Sequence, residues 1–193
     1  MLNNEDKYYL EKVLKGDSAS YSFIIEKYER MAYTIAYRIL RQRENAEDVV
    51  QEAFINAYRS LPDFNFGASF STWLYKIVYN LSISEYRKKK FITEEIDDNV
   101  IDNYYINYGN TNEAISLFRE EEQKFYLNSA IDKLTPEEKT IITLYYQEDC
   151  SVEKVADITR NSKANVKIKL YRARKKIMHE LEKILKEEVV NLI

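Results

Sequence analysis

The stretch AEDVVQEAFINAY (46–58), followed after a short connection by FSTWLYKIVYNLSISEYRKKK (70–90), decides how this chain is read. Both segments carry apolar residues at helical spacing. In the first, Ala46, Val49, Val50, Ala53, Phe54 and Ala57 fall on one stripe, which predicts an amphipathic helix with that stripe buried. Its far side gathers Asp48, Gln51, Glu52, Ile55 and Arg59, carboxylates around an outward isoleucine, as suits a protein-docking surface. In the second, Leu74, Ile77, Val78 and Leu81 form the buried stripe. The far side then holds Tyr75, Lys76, Tyr79, Ile83, Tyr86 and Arg87. Aromatic rings interleaved with cations suit unpaired bases on a phosphate backbone. The other reading of the tyrosines is a packing face, because Tyr is amphipathic and the chain has 17 of them.

Upstream, Gly16-Asp17 reads as a helix stop followed by an N-cap, and residues 18–40 repeat Phe23, Ile24, Tyr28, Met31, Ile35, Ile39 and Leu40 at helical spacing. Residues 41–45 form a polar break. Pro62 disfavours helical dihedrals in its predecessor, so the acidic helix is expected to end near Ser60. The loop LPDFNFGAS (61–69) then presents Phe64 and Phe66 beside Gly67, with Ser69 or Ser71 to cap the aromatic–basic helix. Periodicity disappears from 91 to 112, a segment rich in acids, Asn and Tyr, and returns near Glu113. The prediction is an all-α protein of two small helical domains, 1–91 and 113–193, joined by an acidic flexible linker over 92–112.

Composition narrows the function. With 193 residues, three Gly, two Pro and 32% charged residues, the chain favours helix. No apolar run approaches the roughly 20 residues that cross a bilayer, and the first residues lack a signal-peptide pattern, so a cytoplasmic protein is expected. One Cys and one His exclude an internal disulfide, a thiolate metal cluster and a multi-histidine site. No glycine-rich phosphate loop is present. An enzyme is therefore not expected, nor a cofactor. The net charge of −3 hides a segregation. Residues 91–126 carry nine acids against Arg119 and Lys124, whereas 160–176 carry eight cations and no acid. Such asymmetry points to nucleic-acid and protein partners more than the total does.

The C-terminal part supplies a duplex reader. Thr135-Pro136-Glu137-Glu138 has Thr at the N-cap, Pro at the first helical position and Glu three residues after the cap. A short helix over 152–158, capped by Ser151, leads through Thr159-Arg160-Asn161-Ser162 to a long basic helix over 163–186. Two helices joined by a four-residue turn, the second basic, predict a helix-turn-helix. On the last helix Val166, Leu170, Ala173, Ile177, Leu181 and Ile184 form the buried stripe. Asn165, Ile168, Lys169 and Arg172 point away, flanked by Lys163 and Lys167. Residues near the N-terminus of such a helix reach base edges, so Asn165, Ile168 and Lys169 are the expected readers. Arg174, Lys175 and Lys176 are the expected phosphate anchors. Arg160 stands where many such turns place Gly.

These residues resemble the bacterial sigma-70 family, in particular its short extracytoplasmic-function (ECF) group. AEDVVQEAF (46–54) is similar to that family's Asp-x-x-Gln-Glu-x-Phe signature. FSTWLYKIVYNLSISEYRKKK is similar to its Phe-x-Thr-Trp-Leu-x-x-Ile-x-x-Asn segment with a basic tail. IDKLTPEEKTIITLYY (131–146) and SVEKVADITRNSKANVKIKLYRARKKI (151–177) resemble its fourth region. The resemblance implies an alternative sigma factor: it binds core RNA polymerase, recognises the −10 and −35 promoter elements, and melts the promoter. Carried over by motif, Asp48, Gln51 and Glu52, with Ile55 beside them, fall on the segment that docks polymerase. Lys76, Tyr79, Asn80, Ile83 and Arg87 fall on the −10 segment. The loop 63–69 falls where the family captures a flipped-out base, on which Phe64 or Phe66 would stack. Lys163, Asn165, Lys167, Ile168, Lys169, Arg172 and Arg174 fall on the −35 helix. The implied partners are core polymerase, promoter DNA (duplex at −35, melted at −10) and, as in many relatives, an anti-sigma factor. Membrane insertion is not implied. The chain departs from the family at the turn, where Thr159-Arg160-Asn161 replaces the usual Leu-Gly-Ile, and after it, where Ala164-Asn165 replaces a small-Thr pair. Its base preference is therefore its own. The competing reading is a regulator that binds duplex DNA through this helix-turn-helix without engaging polymerase.

Overall fold

Eight helices carry the described part of the chain, residues 4–67, 69–93 and 120–191 of a computed structural model, with no strand among them. The N-terminal group comprises α1 (Asn4–Leu14), α2 (Tyr21–Leu40), α3 (Arg43–Arg59) and α4 (Phe70–Thr93). The C-terminal group comprises α5 (Glu120–Ile131), α6 (Pro136–Tyr146), α7 (Val152–Thr159) and α8 (Lys163–Asn191). The expected linker over 92–112 lies, apart from its first two residues, outside the described residues.

Local chemistry explains most boundaries. Gly16 closes α1 at φ +100, its N–H donating to the Val13 carbonyl at 3.0 Å while Asp17 N–H reaches Lys12 O at 3.1 Å. The Asp17 carboxylate then accepts from the Ser20 N–H at 3.3 Å and the Ser20 hydroxyl at 2.8 Å, which sets the short 3-10 turn Ser18–Ser20. A second 3-10 turn, Leu61–Asp63, follows α3 at the proline. The capping box expected at Thr135 forms: Thr135 accepts from the Glu138 N–H at 3.3 Å, and Glu138 accepts from the Thr135 N–H at 3.0 Å. Arg41 and Arg160 terminate α2 and α7 at φ 61 and φ 55, left-handed positions that disfavour a residue with a Cβ. The helix-turn-helix thus adopts the conformation that glycine usually supplies.

In the N-terminal bundle α2, α3 and α4 pack on one another and α1 lies across α2. Ala46, Ala53 and Ala57 on α3 are buried, as is the large apolar set Leu10, Ile24, Ile35, Phe70 and Leu74. Buried Asp6 is compensated by hydrogen bonds from the Tyr28 hydroxyl (2.6 Å) and the Lys27 ammonium (2.8 Å). In the C-terminal group α8 packs on α5, α6 and α7 around Ile141, Leu144, Val155, Ile158, Val166 and Leu170.

The two groups are packed together, a feature periodicity did not predict. Helix α4 lies against α7, and α2 against α6. The Tyr75 hydroxyl donates to Glu148 Oε2 (3.3 Å), Lys76 Nζ pairs with Asp157 Oδ1 (2.6 Å), and Arg41 pairs with Asp132 Oδ1 (2.7 Å). Arg38 donates to Asn128 Oδ1 at 2.8 Å. Lys139 on α6 is buried near this seam, and its burial, reinforced by the Arg41 and Arg38 guanidiniums against Asp132, pulls its ammonium from 10.5 down to about 8. Between about pH 8 and 10.5 the unfolded chain holds a proton here that the folded chain does not, so this lysine makes stability rise with pH across that window. Lys139→Met is expected to raise the melting temperature at pH 7 and to remove that share of the rise. Thermal unfolding of both proteins from pH 7 to 10.5 checks it, and parallel curves would contradict the assignment.

Candidate protein-docking and nucleic-acid interfaces

On α3 the acidic face forms as expected. Asp48, Gln51 and Glu52 are exposed, and Ile55 stands among them at 49% exposure. This large aliphatic side chain thus stands outside the core, open to solvent beside carboxylates. The face extends further than one helix. A shallow groove beside it is lined by Glu29, Arg30, Tyr33 and Thr34 of α2 and by Glu47, Val50 and Gln51 of α3. Tyr33 stacks on Tyr37, with ring centroids 5.7 Å apart. Sequence reasoning missed the α2 side. Its signal was present in Glu26, Glu29, Arg30, Tyr33 and Tyr37, the polar and aromatic residues left over once the buried stripe of α2 is removed.

Along α4 the outcome is divided. Arg87 is exposed, and Lys76, Asn80, Ile83 and Tyr86 are half-buried. Tyr75 and Tyr79 were expected to face outward, but only 3% and 7% of their surfaces are exposed. Part of the reason is the packing between the two groups, where Tyr75 meets Glu148 and Lys76 meets Asp157. Part lies within the N-terminal bundle, where the Tyr75 ring packs on Tyr28 of α2. Tyr79 is buried near Glu137 of α6. Burial pushes its phenol up to about 12, with the Glu137 charge adding and Arg87 opposing. Burial also raises the Glu148 carboxyl, against the lowering effect of the Tyr75 hydrogen bond. In this closed arrangement the middle of α4 is turned toward protein.

The loop before α4 needs a second correction. Phe64 was expected to stand free beside Phe66, yet it is 6% exposed and packs on Phe66, Phe70 and Trp73 at centroid distances of 5.3, 5.6 and 4.9 Å. An aromatic ring beside Phe70 and Trp73 lowers its free energy by leaving water, so it joins the core. Phe66 remains half-buried, while Asp63 and Asn65 are exposed. Asn65 Oδ1 accepts from the Gly67 N–H at 2.9 Å, and a Cβ on Gly67 would come within 3.2 Å of that oxygen. The loop is thus a tight turn whose outward groups are polar.

The recognition helix α8 begins as expected. Ser162 caps it, accepting from the Asn165 N–H at 3.1 Å. Lys163, Asn165, Lys167, Ile168 and Arg172 are exposed together over its first three turns. Lys163 leans on Glu153 at 3.1 Å, and Arg174 donates to the Tyr146 hydroxyl at 3.1 Å. Lys169 departs from expectation: it is half-buried and ion-paired with Glu137 at the start of α6. The described residues contain no cluster of His, Cys, Asp or Glu suited to a metal, and no helix long and apolar enough to cross a membrane.

Comparison with known proteins agrees with this layout. Residues 24–92 match the family model for sigma-70 region 2, and residues 124–177 the model for sigma-70 region 4. The chain is 30% identical over 177 residues to the ECF RNA polymerase sigma factor SigW of Bacillus subtilis, which covers 89% of this chain and 94% of that protein. It is 26% identical over 192 residues to the RNA polymerase sigma-H factor of Pseudomonas aeruginosa, covering 97% and 99%. Among solved structures, CnrH in complex with the cytosolic domain of CnrY is similar with a TM-score of 0.66 at 19% identity, over 93% of this chain and 98% of that one. The sigma factor RpoE in complex with the anti-sigma factor NepR from Bartonella quintana is similar with a TM-score of 0.64 at 20% identity, over 84% and 96%. At those identities the likeness is one of fold.

Proposed function

The chain belongs to the sigma-70 family, in its extracytoplasmic-function group, and on that premise we propose how its surfaces divide the work of promoter-specific initiation. It is an alternative sigma factor that binds core RNA polymerase, recognises −10 and −35 promoter elements and promotes melting. We assign residues 1–91 to the polymerase and −10 domain, 92–112 to the linker and 113–193 to the −35 domain. Asp48, Gln51, Glu52 and Ile55, with the α2 groove beside them, are the polymerase-docking surface. Phe66, Lys76, Tyr79, Asn80, Ile83 and Arg87 engage the melted −10 strand. Asn165, Ile168, Lys163, Lys167 and Arg172 engage the −35 duplex, with Arg174 further along the backbone.

The observation that carries this reading is the presence, in one chain, of an open acidic face on α3 and an open basic face on α8. The first offers charge to a basic protein surface and repels DNA. The second does the reverse. Each suits a different partner of one assembly.

The packing of α4 against α7 adds a condition. On this reading Lys76 and Tyr79 meet unpaired DNA only after the two domains part, the packed arrangement belonging to the free factor and promoter engagement to an opened one. An anti-sigma factor, like the NepR bound to the RpoE neighbour, would act by holding such a factor away from polymerase. The protein works in the cytoplasm, where polymerase and promoter meet, as an initiation factor and not as a catalyst.

Run-off transcription with purified bacterial core polymerase, on the DNA upstream of the protein's own gene, tests the reading. A defined transcript that requires the protein is expected. Tight sequence-specific duplex binding by the protein alone, with no transcript on adding core enzyme, would favour the regulator reading instead.

A further inference from the structure

The turn that departs from the family holds a chain of side-chain amides whose direction can be worked out from chemistry. Asn161 Nδ2 has three neighbours: Glu137 Oε1 at 2.8 Å, the Thr159 carbonyl at 3.0 Å and Thr159 Oγ1 at 3.1 Å. A carboxylate and a carbonyl accept only. The Thr159 hydroxyl has already committed its proton to the Val155 carbonyl at 2.7 Å, so it too accepts. The amide of Asn161 therefore has one satisfactory orientation, NH2 toward Glu137 and Oδ1 toward α8. Oδ1 in turn requires a donor, and Asn165 Nδ2 supplies it at 2.8 Å. Glu137, the anchor of this chain, is held in place by its ion pair with Lys169.

The consequence falls on the exposed end. Asn165 lies in the first turn of the recognition helix, with its backbone N–H fixed by Ser162. One amide proton of Asn165 is spent on Asn161. The other proton and the Oδ1 acceptor remain for a ligand. Adenine presents in the major groove an N6–H donor and an N7 acceptor, which an acceptor–donor pair on one Asn matches bidentately. Guanine presents two acceptors there, N7 and O6, and would set O6 against Oδ1.

Resting on the −35 assignment above, we infer that Asn161 is a positioning residue that locks the amide of Asn165 in the orientation selective for adenine at one position of the −35 element. Lys169, expected to read bases itself, serves as a brace for Glu137. The unusual turn residue is thus a specificity device, and a turn with an apolar residue in its place would leave the Asn165 amide free to rotate.

The test uses holoenzyme assembled from core polymerase and the full chain, selecting promoters from a library with a randomised −35 element and a fixed −10 element. The wild-type factor is expected to favour adenine over guanine at one −35 position by about tenfold or more. Asn165→Ala removes that preference. Asn161→Ala lowers it to about threefold or less, with preferences at the other positions and the melting temperature little changed. Asn161→Asp keeps an acceptor facing Asn165 and so keeps the adenine preference, even where repulsion from Glu137 lowers stability. A merely structural role for Asn161 would weaken all positions together. An adenine preference that Asn165→Ala abolishes but Asn161→Ala leaves intact overturns the positioning role, as does a preference indifferent to Asn165. A wild-type holoenzyme indifferent to every −35 base would overturn the −35 assignment itself.

Discussion

Reversing two charges on α3, Asp48→Arg with Glu52→Arg, is expected to weaken binding to core polymerase by about two orders of magnitude. Both carboxylates are exposed and flank Ile55, so the change leaves the bundle's core untouched. Charge pairs in an interface couple by ~1.5 kcal/mol or more each, and reversal adds like-charge repulsion against the same partner groups. About 1.4 kcal/mol per site is a factor of ten, which makes the double variant about a hundredfold weaker. The measurement is competition for core enzyme against a labelled wild-type factor, with circular dichroism to verify the fold. Equal competition by a folded double variant would remove α3 from the docking surface. Ile55→Ala provides an independent arm: loss of an open aliphatic contact is expected to weaken binding without changing its salt dependence.

The second large effect lies at the seam between the domains. Asp157→Lys combined with Glu148→Ala is expected to raise the affinity of the free factor for single-stranded −10 DNA by about thirtyfold. The first change turns the 2.6 Å ion pair with Lys76 into a repulsion. The pair is partly exposed, so its loss and reversal together are worth about 1 kcal/mol. The second removes the acceptor of the buried Tyr75 hydroxyl, worth about 1 kcal/mol more. A shift of about 2 kcal/mol moves a closed–open equilibrium by about thirtyfold. Neither substituted residue is among those assigned to DNA contact. The two changes make the chain three charges more positive and so favour DNA by themselves, and opening is read from a gain in binding that comes with an increase in size. Fluorescence anisotropy with a labelled strand reads the affinity, and small-angle scattering reads the accompanying increase in radius of gyration. If both stay at the wild-type values, the packing of α4 on α7 does not limit access to the −10 face.

Much of the local structure was legible in the sequence because it depends on neighbours a few residues away. The Thr135–Glu138 capping box, the stop at Gly16 and the stripe of small residues on α3 each follow from interactions within one or two turns of helix. The family signature was legible for a related reason: its motifs are sets of residues that share one helix face. The exposure of the expected site residues was legible in part. Arg87, Asn165 and Ile55 stand exposed, whereas Phe64, Tyr75, Tyr79 and Lys169 do not stand free.

Those differences share a cause. Helical periodicity says which residues lie on one face, but not how many faces of a helix are covered. Leu74 and Val78 mark the face of α4 that meets α2 and α3. The adjoining face, Tyr75 to Tyr79, is covered in part by helices that begin more than fifty residues later in the chain, and no local pattern announces that contact. Phe64 is likewise drawn inward by Phe70 and Trp73, a choice between water and an aromatic pocket that only the assembled bundle offers. Sequence alone therefore determined most of the helices, the caps at Thr135 and Ser151, the two domains' character and the chemistry of α3 and α8. Tertiary structure decided which aromatic and cationic groups are free to act, because burial depends on contacts between distant segments.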